Sequence, residues 1–348
     1  MAFFRLLGVG SLINHNLMMT EREIMHRIFS MQLNDNIEPL ALDVFRFQYE
    51  RNHIYKKFCD ALGRNTGNVK VLADIPFLPV EFFKTHRVVS FSGPENHVFR
   101  SSGTTGSDQS KHRVFDISLY ERSFMQCFRL FYGDPANYCV LALLPSYLER
   151  KDSSLVYMAS HLIKKSGHPY SGFYLDELGG LAGRLETLCN SNTNVLLLGV
   201  SFALLELAEK YPMPLKNIIV METGGMKSRR REMVREELHG ILCKAFQIDA
   251  IHSEYGMTEL LSQAYSPGRG LFNCPPWMKV LIRDANDPLA LAVAGRTGGI
   301  NIIDLANLYS CSFLATKDLG KIHANGHFEV LGRFDHSDLR GCNLLLES

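Results

Sequence analysis

Apolar and polar positions along this chain fall into two regimes. In the first ninety residues they repeat at helical spacing. Ile24, Met25, Ile28 and Phe29 line one face of residues 20–29, and Phe45, Tyr49 and Tyr55 mark a stripe through 40–62. Thr20 and Glu23 predict a capping box opening the first helix, and Gly63 and Gly67 stop the second. A proline-punctuated stretch, IPFLPVEFF, leads out of this helical part. From about residue 97 the pattern alternates. Val98 and Phe99 run into a Gly/Ser/Thr loop, then a helix is expected over about 116–132 and a buried strand at YCVLALLP (138–145). Helices over 153–166 and 176–190, a strand at 194–199, a helix over 201–210 and a strand at 217–222 follow. A charged helix over 228–245 and a strand at 249–255 complete the run, and short strands continue past 270 to FEVLGRFD (328–335). This rhythm predicts an α/β fold with mostly parallel sheet flanked by helices, a helical lead over 20–90 and a short β-hairpin region at the C-terminal end. The sequence shows no internal repeat or low-complexity segment.

Composition narrows the class. The 348 residues carry 37 Lys+Arg against 36 Asp+Glu, a net charge of +1, which offers no electrostatic footprint for nucleic acid. No stretch approaches the roughly 20 apolar residues of a membrane span. The eight cysteines are scattered without a C-x-x-C pair, which argues for reduced thiols and a cytoplasmic protein rather than a zinc ribbon or a disulfide scaffold. Residues 1–19 read as a disordered or non-native start, because Met18 and Met19 directly precede the capping box.

The densest chemical signal is Ser101-Ser102-Gly103-Thr104-Thr105-Gly106, followed by Lys111. Four hydroxyls and two glycines in six residues make a loop whose amides and hydroxyls can converge on phosphate oxygens, with Lys111 adding a point charge. It is not a Walker loop, since Gly106 is followed by Ser107 rather than Lys. A solvated polar turn is the ordinary alternative for such a composition. Further on, Glu259 suits Mg²⁺, which keeps most of its waters and takes few protein ligands. Asp318 can accept from a ribose diol. Taken singly, Glu259 could equally be helix-terminus charge, Tyr255 core and Asp318 a turn carboxylate.

The order of the motifs carries a resemblance. The loop at 101–106 resembles the phosphate loop of the adenylate-forming superfamily of acyl-CoA synthetases, luciferases and peptide-synthetase adenylation domains, with its lysine displaced to Lys111 and its proline missing. Thr223-Gly224-Gly225-Met226 resembles the segment whose backbone borders adenine, and Glu254-Tyr255-Gly256-Met257-Thr258-Glu259 resembles the Y-G-x-T-E motif. Thr316-Lys317-Asp318-Leu319-Gly320 and Gly332-Arg333-Phe334-Asp335 resemble the ribose-binding acid and the arginine that follows it. Within that superfamily the whole chain, helical lead included, is similar to the acyl-protein synthetase (LuxE) family of bacterial luminescence fatty-acid reductases. The resemblance implies one adenylate-forming domain over 20–348 with nucleotide motifs over 101–335, without the mobile C-terminal domain of larger members. It also implies ATP and Mg²⁺ as cofactors, with Tyr255, Gly224 and Gly225 at adenine, Asp318 and Arg333 at ribose, Thr258 at the α-phosphate and Glu259 at the metal.

The same resemblance singles out Cys342, in Arg-Gly-Cys-Asn, as the acceptor of an acyl group from the adenylate. A thiolate is the strongest nucleophile among side chains, and the nearby Arg340 favours it, although Leu344, Leu345 and Leu346 also fit a packed strand. The expected activity is ATP-dependent activation of a carboxylic acid, of the fatty class, followed by transfer to a thiol and onward to a reductase, a carrier protein or coenzyme A. Two other readings stay open. Leu198-Gly199-Val200-Ser201-Phe202-Ala203 is a strand followed by G-x-S-x-A, the context of a hydrolase nucleophile, with His252 and His323 downstream as partners. The chain can also be read as a nucleotide-binding subunit without turnover.

Overall fold

The structure, a computed structural model, describes residues 19–102, 109–145, 152–174, 177–224 and 233–333. The lead is helical. Helix α1 (Glu21–Ser30) starts at the anticipated box: the Thr20 hydroxyl accepts from the Glu23 N–H at 3.3 Å, and the Glu23 carboxylate accepts from the Thr20 N–H at 2.8 Å. The stripe over 40–62 is two helices instead of one, α2 (Glu38–Arg51) and α3 (His53–Ala61). They part at Asn52, which is fully buried and extended. Its side-chain oxygen accepts from the Tyr55 N–H at 2.9 Å and its amide donates to the Ser310 carbonyl at 2.9 Å. A residue that caps one helix and anchors a distant turn cannot also continue a helix through itself.

The proline-punctuated stretch forms strand β1 (Leu78–Pro79) and the single turn α4 (Phe82–Thr85). A hairpin of β2 (His97–Arg100) and β3 (Lys111–Val114) follows, with Phe99 opposite His112 and Arg100 opposite Lys111. Hydropathy does not mark β3, because Lys-His-Arg-Val holds one apolar residue. Helix α5 (Ile117–Tyr132) comes next, capped by Asp116.

The alternation beyond it builds the first sheet. Strand β4 (Tyr138–Leu143), α6 (Ser154–Ser166), β5 (Gly172–Phe173), α7 (Leu178–Cys189), β6 (Asn194–Val200) and α8 (Ser201–Lys210) run in that order. Strand β7 (Ile218–Thr223), α9 (Arg235–Phe246), β8 (His252–Tyr255) and β9 (Ala264–Ser266) complete it. In space the strands lie β5-β4-β6-β7-β8-β9, and only the β8–β9 pair is antiparallel. Strands β4 and β6 are almost continuously buried, as apolar runs covered on both faces must be. Helix α9 opens at Arg235, later than the charged pattern suggested, because Val234 is extended; residues 225–232 lie outside the described ones.

The second sheet takes β10 (Leu271–Phe272), β11 (Met278–Arg283), β12 (Gly298–Asp304), β13 (Phe313–Ile322) and β14 (Phe328–Arg333) in the order β10-β14-β13-β12-β11. These pairs are antiparallel, and β1 lies parallel to the first half of β13. The α/β class with its helical lead is therefore borne out, with the parallel pairing concentrated in the first sheet.

The two sheets and the lead meet at the turn after β12. Asp304 is fully buried and accepts from the Leu261 N–H (2.8 Å), the Ser262 N–H (3.0 Å) and the Ser262 hydroxyl (2.6 Å). Gln48 of α2 donates to the carbonyls of Asn307 and Leu308 and accepts from the Ser312 N–H. Removing the acceptor would strand three donors in the interior. Asp304→Ala is expected to lower the unfolding free energy by about 3 kcal/mol in urea titrations, and a loss below about 1 kcal/mol would contradict this role.

Candidate functional site

In an open parallel sheet, ligands bind beyond the C-terminal strand ends, beside the point where strand order reverses. Here β5 and β6 leave β4 on opposite sides, so the edge to inspect carries Leu144, Ser201, Thr223 with Gly224, and Tyr255 with Gly256. The described motif residues fall on this edge and on the elements facing it.

The phosphate-loop segment begins where β2 ends. Ser101 and Ser110 close its stem through a backbone bond of 3.1 Å, and the Ser101 hydroxyl accepts from the Ser110 N–H at 3.0 Å. Arg100 is tied to Asp152, 3.4 Å between Nε and the carboxylate, and Lys111 stands opposite it, half-buried. Ser102 sits at the mouth, half-buried, whereas Gly103, Thr104, Thr105 and Gly106 lie outside the described residues.

At the end of β7, Gly224 has a φ of +69°, the left-handed region that a side chain strains. Its carbonyl accepts from the Ser201 hydroxyl at 2.8 Å. Ser201 also donates to Glu222 at 3.2 Å and is 2% exposed. His252 is bonded to Tyr132 and His323 to Glu329, so neither proposed partner serves Ser201. The hydrolase reading is not favoured, because Ser201 is a buried brace for the Gly224 turn. Gly225 lies outside the described residues.

The end of β8 and the middle of β13 form a second corner. The Tyr255 hydroxyl donates to Asp318 at 2.6 Å, and its ring meets Phe272 and Phe328 edge-on. Asp318 is paired across the strands with Arg333, which is exposed. Burial pushes the Asp318 carboxyl up, while the bond from Tyr255 and the charges of Arg333, Arg235 and Arg283 oppose that rise. Burial and the Asp318 charge both hold the Tyr255 phenol well above its ordinary range. Tyr255, Asp318 and Arg333 are thus brought together.

Thr258 and Glu259 follow on a turn closed by a bond from the Leu260 N–H to the Met257 carbonyl at 3.1 Å. The Thr258 carbonyl faces Nδ1 of His112 at 2.8 Å, and the Glu259 carbonyl accepts from Asn307 at 2.8 Å. Glu259 is buried, at 6% exposure. Among the described residues no cluster of three or more His, Cys, Asp and Glu side chains could hold a metal. One carboxylate with substrate phosphates and water fits Mg²⁺.

Reading the residues one by one misses Glu254, His112 and Asn307. The Thr223 hydroxyl donates to Glu254, joining the ends of β7 and β8, and a Cβ at Gly256 would collide with the Glu254 carboxyl. Burial and the nearby Glu222 push Glu254 up to about 7, against the Thr223 bond. Cys342 lies outside the described residues. The seven described cysteines are free thiols, and burial raises every one of them: Cys59 and Cys274 to about 12, with Cys127, Cys139, Cys189, Cys243 and Cys311 also above their ordinary range. Among the described residues no helix is long and apolar enough to cross a membrane.

Comparison with known proteins bears on the family and the fold. A family model described as "Acyl-protein synthetase, LuxE" matches residues 27–122. The long-chain-fatty-acid–luciferin-component ligase of Vibrio harveyi is 23% identical over 331 residues, covering 88% of this chain and 85% of that protein. An open conformation of 2-hydroxyisobutyryl-CoA ligase, solved with 2-HIB-AMP and CoA, superposes with a TM-score of 0.62 at 12% identity over 86% of this chain and 70% of the other. ATP-bound MatB from Rhodopseudomonas palustris gives 0.51 at 15% identity over 70% of this chain and 49% of the other, so the chain spans about half of that protein. The fold is that of the adenylate-forming enzymes, and the resemblance to the acyl-protein synthetases, with the ligase class it carries, is borne out.

Glu254 generates a pH prediction. Its ordinary value is 4.5, so between there and about 7 the folded chain holds a proton that the unfolded chain has released, and stability falls as pH rises through that interval. Glu254→Gln is therefore expected to gain on the parent with rising pH, by about 3 kcal/mol at the alkaline plateau. Thermal melts across that range that stay parallel for the two proteins would refute it.

Proposed function

We propose that this chain activates a fatty carboxylic acid with ATP to an acyl-adenylate and passes the acyl group to a thiol, first its own Cys342. The observation that carries the reading is the convergence on one sheet edge. The Tyr255–Asp318–Arg333 corner and the Gly224 turn lie at strand ends, and the phosphate-loop stem is joined to the Thr258–Glu259 turn through His112. The fatty class is supported by the 23% identical ligase of Vibrio harveyi. Residues 20–348 act as one adenylate-forming domain in this reading. The free thiols suit a cytoplasmic setting.

In the first half-reaction a carboxylate oxygen attacks the α-phosphorus. The new C–O–P link forms as the bond to pyrophosphate breaks. The nucleophile is already ionised at neutral pH, so the protein supplies no base. Ser101, Ser102, Gly103, Thr104, Thr105 and Gly106 offer donors to the phosphates, Lys111 offsets charge on the leaving pyrophosphate, and Thr258 meets the α-phosphate. Gly224 and Gly225 let backbone approach the adenine beside Tyr255, and Asp318 with Arg333 holds the ribose. Mg²⁺, held by Glu259, would supply further charge neutralisation.

In the second half-reaction the Cys342 thiolate attacks the acyl carbonyl and AMP departs with the C–O electrons. Cys342 is favoured as acceptor because burial keeps the seven described thiols protonated. The thioester then passes to an acceptor protein, a reductase or carrier, or to coenzyme A.

Carboxylate-dependent ATP–pyrophosphate exchange over acids of graded chain length tests the first half-reaction. Exchange is expected to rise with chain length, and its absence for every acid would leave a nucleotide-binding subunit without turnover. Asp318→Ala should raise the KM for ATP by about tenfold or more, and Glu259→Gln should lower kcat by about a hundredfold. Cys342→Ser separates the steps. It should exchange normally and lose the hydroxylamine-labile acyl label, and a variant that still acquires the label would remove Cys342 from the mechanism.

A further inference from the structure

One buried ionisable side chain lies between two of these segments without being placed to touch a nucleotide. His112 follows Lys111 on β3 and is 1% exposed. Its Nδ1 is 2.8 Å from the Thr258 carbonyl oxygen, and its Nε2 is 3.0 Å from the side-chain oxygen of Asn307. The orientation of the Asn307 amide is set by its other bonds. Its NH₂ donates to the carbonyls of Glu259 at 2.8 Å and Cys311 at 3.0 Å, so a flipped amide would turn its oxygen onto two acceptors.

Both ring nitrogens therefore face acceptors. A neutral imidazole donates from one nitrogen only, and the second contact then sets lone pair against lone pair. The imidazolium satisfies both. Burial opposes that charge and pulls His112 down to about 4, although the bonds to Thr258 and Asn307 work the other way. Phe83 covers the ring edge-on at 5.6 Å. The charged and titratable groups on the surrounding elements are Lys111 and Arg113 on its own strand, Glu259 on the turn it meets, Asp304 and Tyr309 on either side of Asn307, and the exposed Lys84 of α4. Lys111 and Arg113 alternate to the opposite face of β3. The ring is held in place for two donations while its surroundings disfavour the second proton. Added negative charge beside it would tip that balance.

Resting on the nucleotide site read above, we propose that His112 is a positioning residue: when a polyphosphate occupies the site, its ring donates from both nitrogens and locks the phosphate-loop stem onto the Thr258–Glu259 turn. The second proton comes from solvent, so triphosphate binding carries proton uptake. The bridge from the strand of Lys111 to the Thr258–Glu259 turn, already formed in the free chain, is then strengthened by the second donation.

Calorimetric titration of the full chain with Mg-ATP, in two buffers of different ionisation heat near neutral pH, reads this directly. The parent should take up as much as about one proton more per ATP than His112→Gln, and its ATP affinity should weaken with rising pH by up to about tenfold per unit more steeply than the variant's. Equal uptake in the two proteins would overturn the proposal while leaving the nucleotide site intact. Absence of ATP binding in the parent would overturn the site and this inference together. If the variant does not fold, nitrogen NMR of the histidine-labelled parent decides. Two protonated ring nitrogens with ATP bound are expected, and one bare nitrogen in the bound state refutes the proposal.

Discussion

The turn that follows β12 is the constraint on which the other parts depend. Within nine residues, from Asp304 to Ser312, it bonds the helical lead through Gln48 and Asn52, the phosphate-loop hairpin through His112, and the Thr258–Ser262 segment through Asp304 and Asn307. These bonds are between elements far apart in sequence, and they lie in the interior, where an unpaired polar group costs about 1–3 kcal/mol. The network is therefore close to all or nothing. Withdrawing Asn307 would free the carbonyls of Glu259 and Cys311 together with one nitrogen of His112. Such a hub makes the lead part of the catalytic body, because α2 and α3 are fixed to the same turn that orients the motif residues.

Much of this architecture was legible in the sequence, for a physical reason. Strands β4, β6 and β7 are buried on both faces, so their apolar runs are long, and the helices between them keep their apolar stripes. Gly224, singled out after the β7 run, takes the positive φ that favours glycine, while residues 103–106 of the hydroxyl loop lie outside the described ones. The exceptions share one cause. Asn52 breaks a continuous stripe, and β3 forms from Lys-His-Arg-Val, because their partners lie on distant elements that no local window contains. His112 and Asn307 escaped notice on the same ground. Each looks ordinary alone, and their meaning lies in which atoms of which remote turn they face.

Electrostatics separates the two corners of the site. Around Asp318, three arginines act against burial, which suits a carboxylate that must receive hydrogen bonds. Around Glu254, burial is reinforced by Glu222 and opposed by the bond from the Thr223 hydroxyl, which leaves this carboxyl to titrate at about 7. The two acids lie on strands of different sheets and answer differently to the same burial. The first stands among arginines, whereas the second joins β7 to β8 through Thr223.

The Tyr255–Asp318 bond also bears on how a nucleotide would be received. In the free chain the phenol supplies one hydrogen bond to a carboxylate able to take several, and Asp318 already has its place in the β13–β14 pairing. A vicinal diol brings two donors to the same oxygens. Exchanging one donor for two raises the satisfaction of a mostly buried charge without requiring the strand to move. The phenol released by that exchange stays beside Phe272 and Phe328, where its ring is held by aromatic edges rather than by the hydrogen bond. Arrival of the sugar would therefore leave the ring in place as a flat surface while freeing its hydroxyl. In the proposed reading the atoms that must rearrange are one O–H and its proton, and the groups that would hold a nucleoside stand where the folded strands put them.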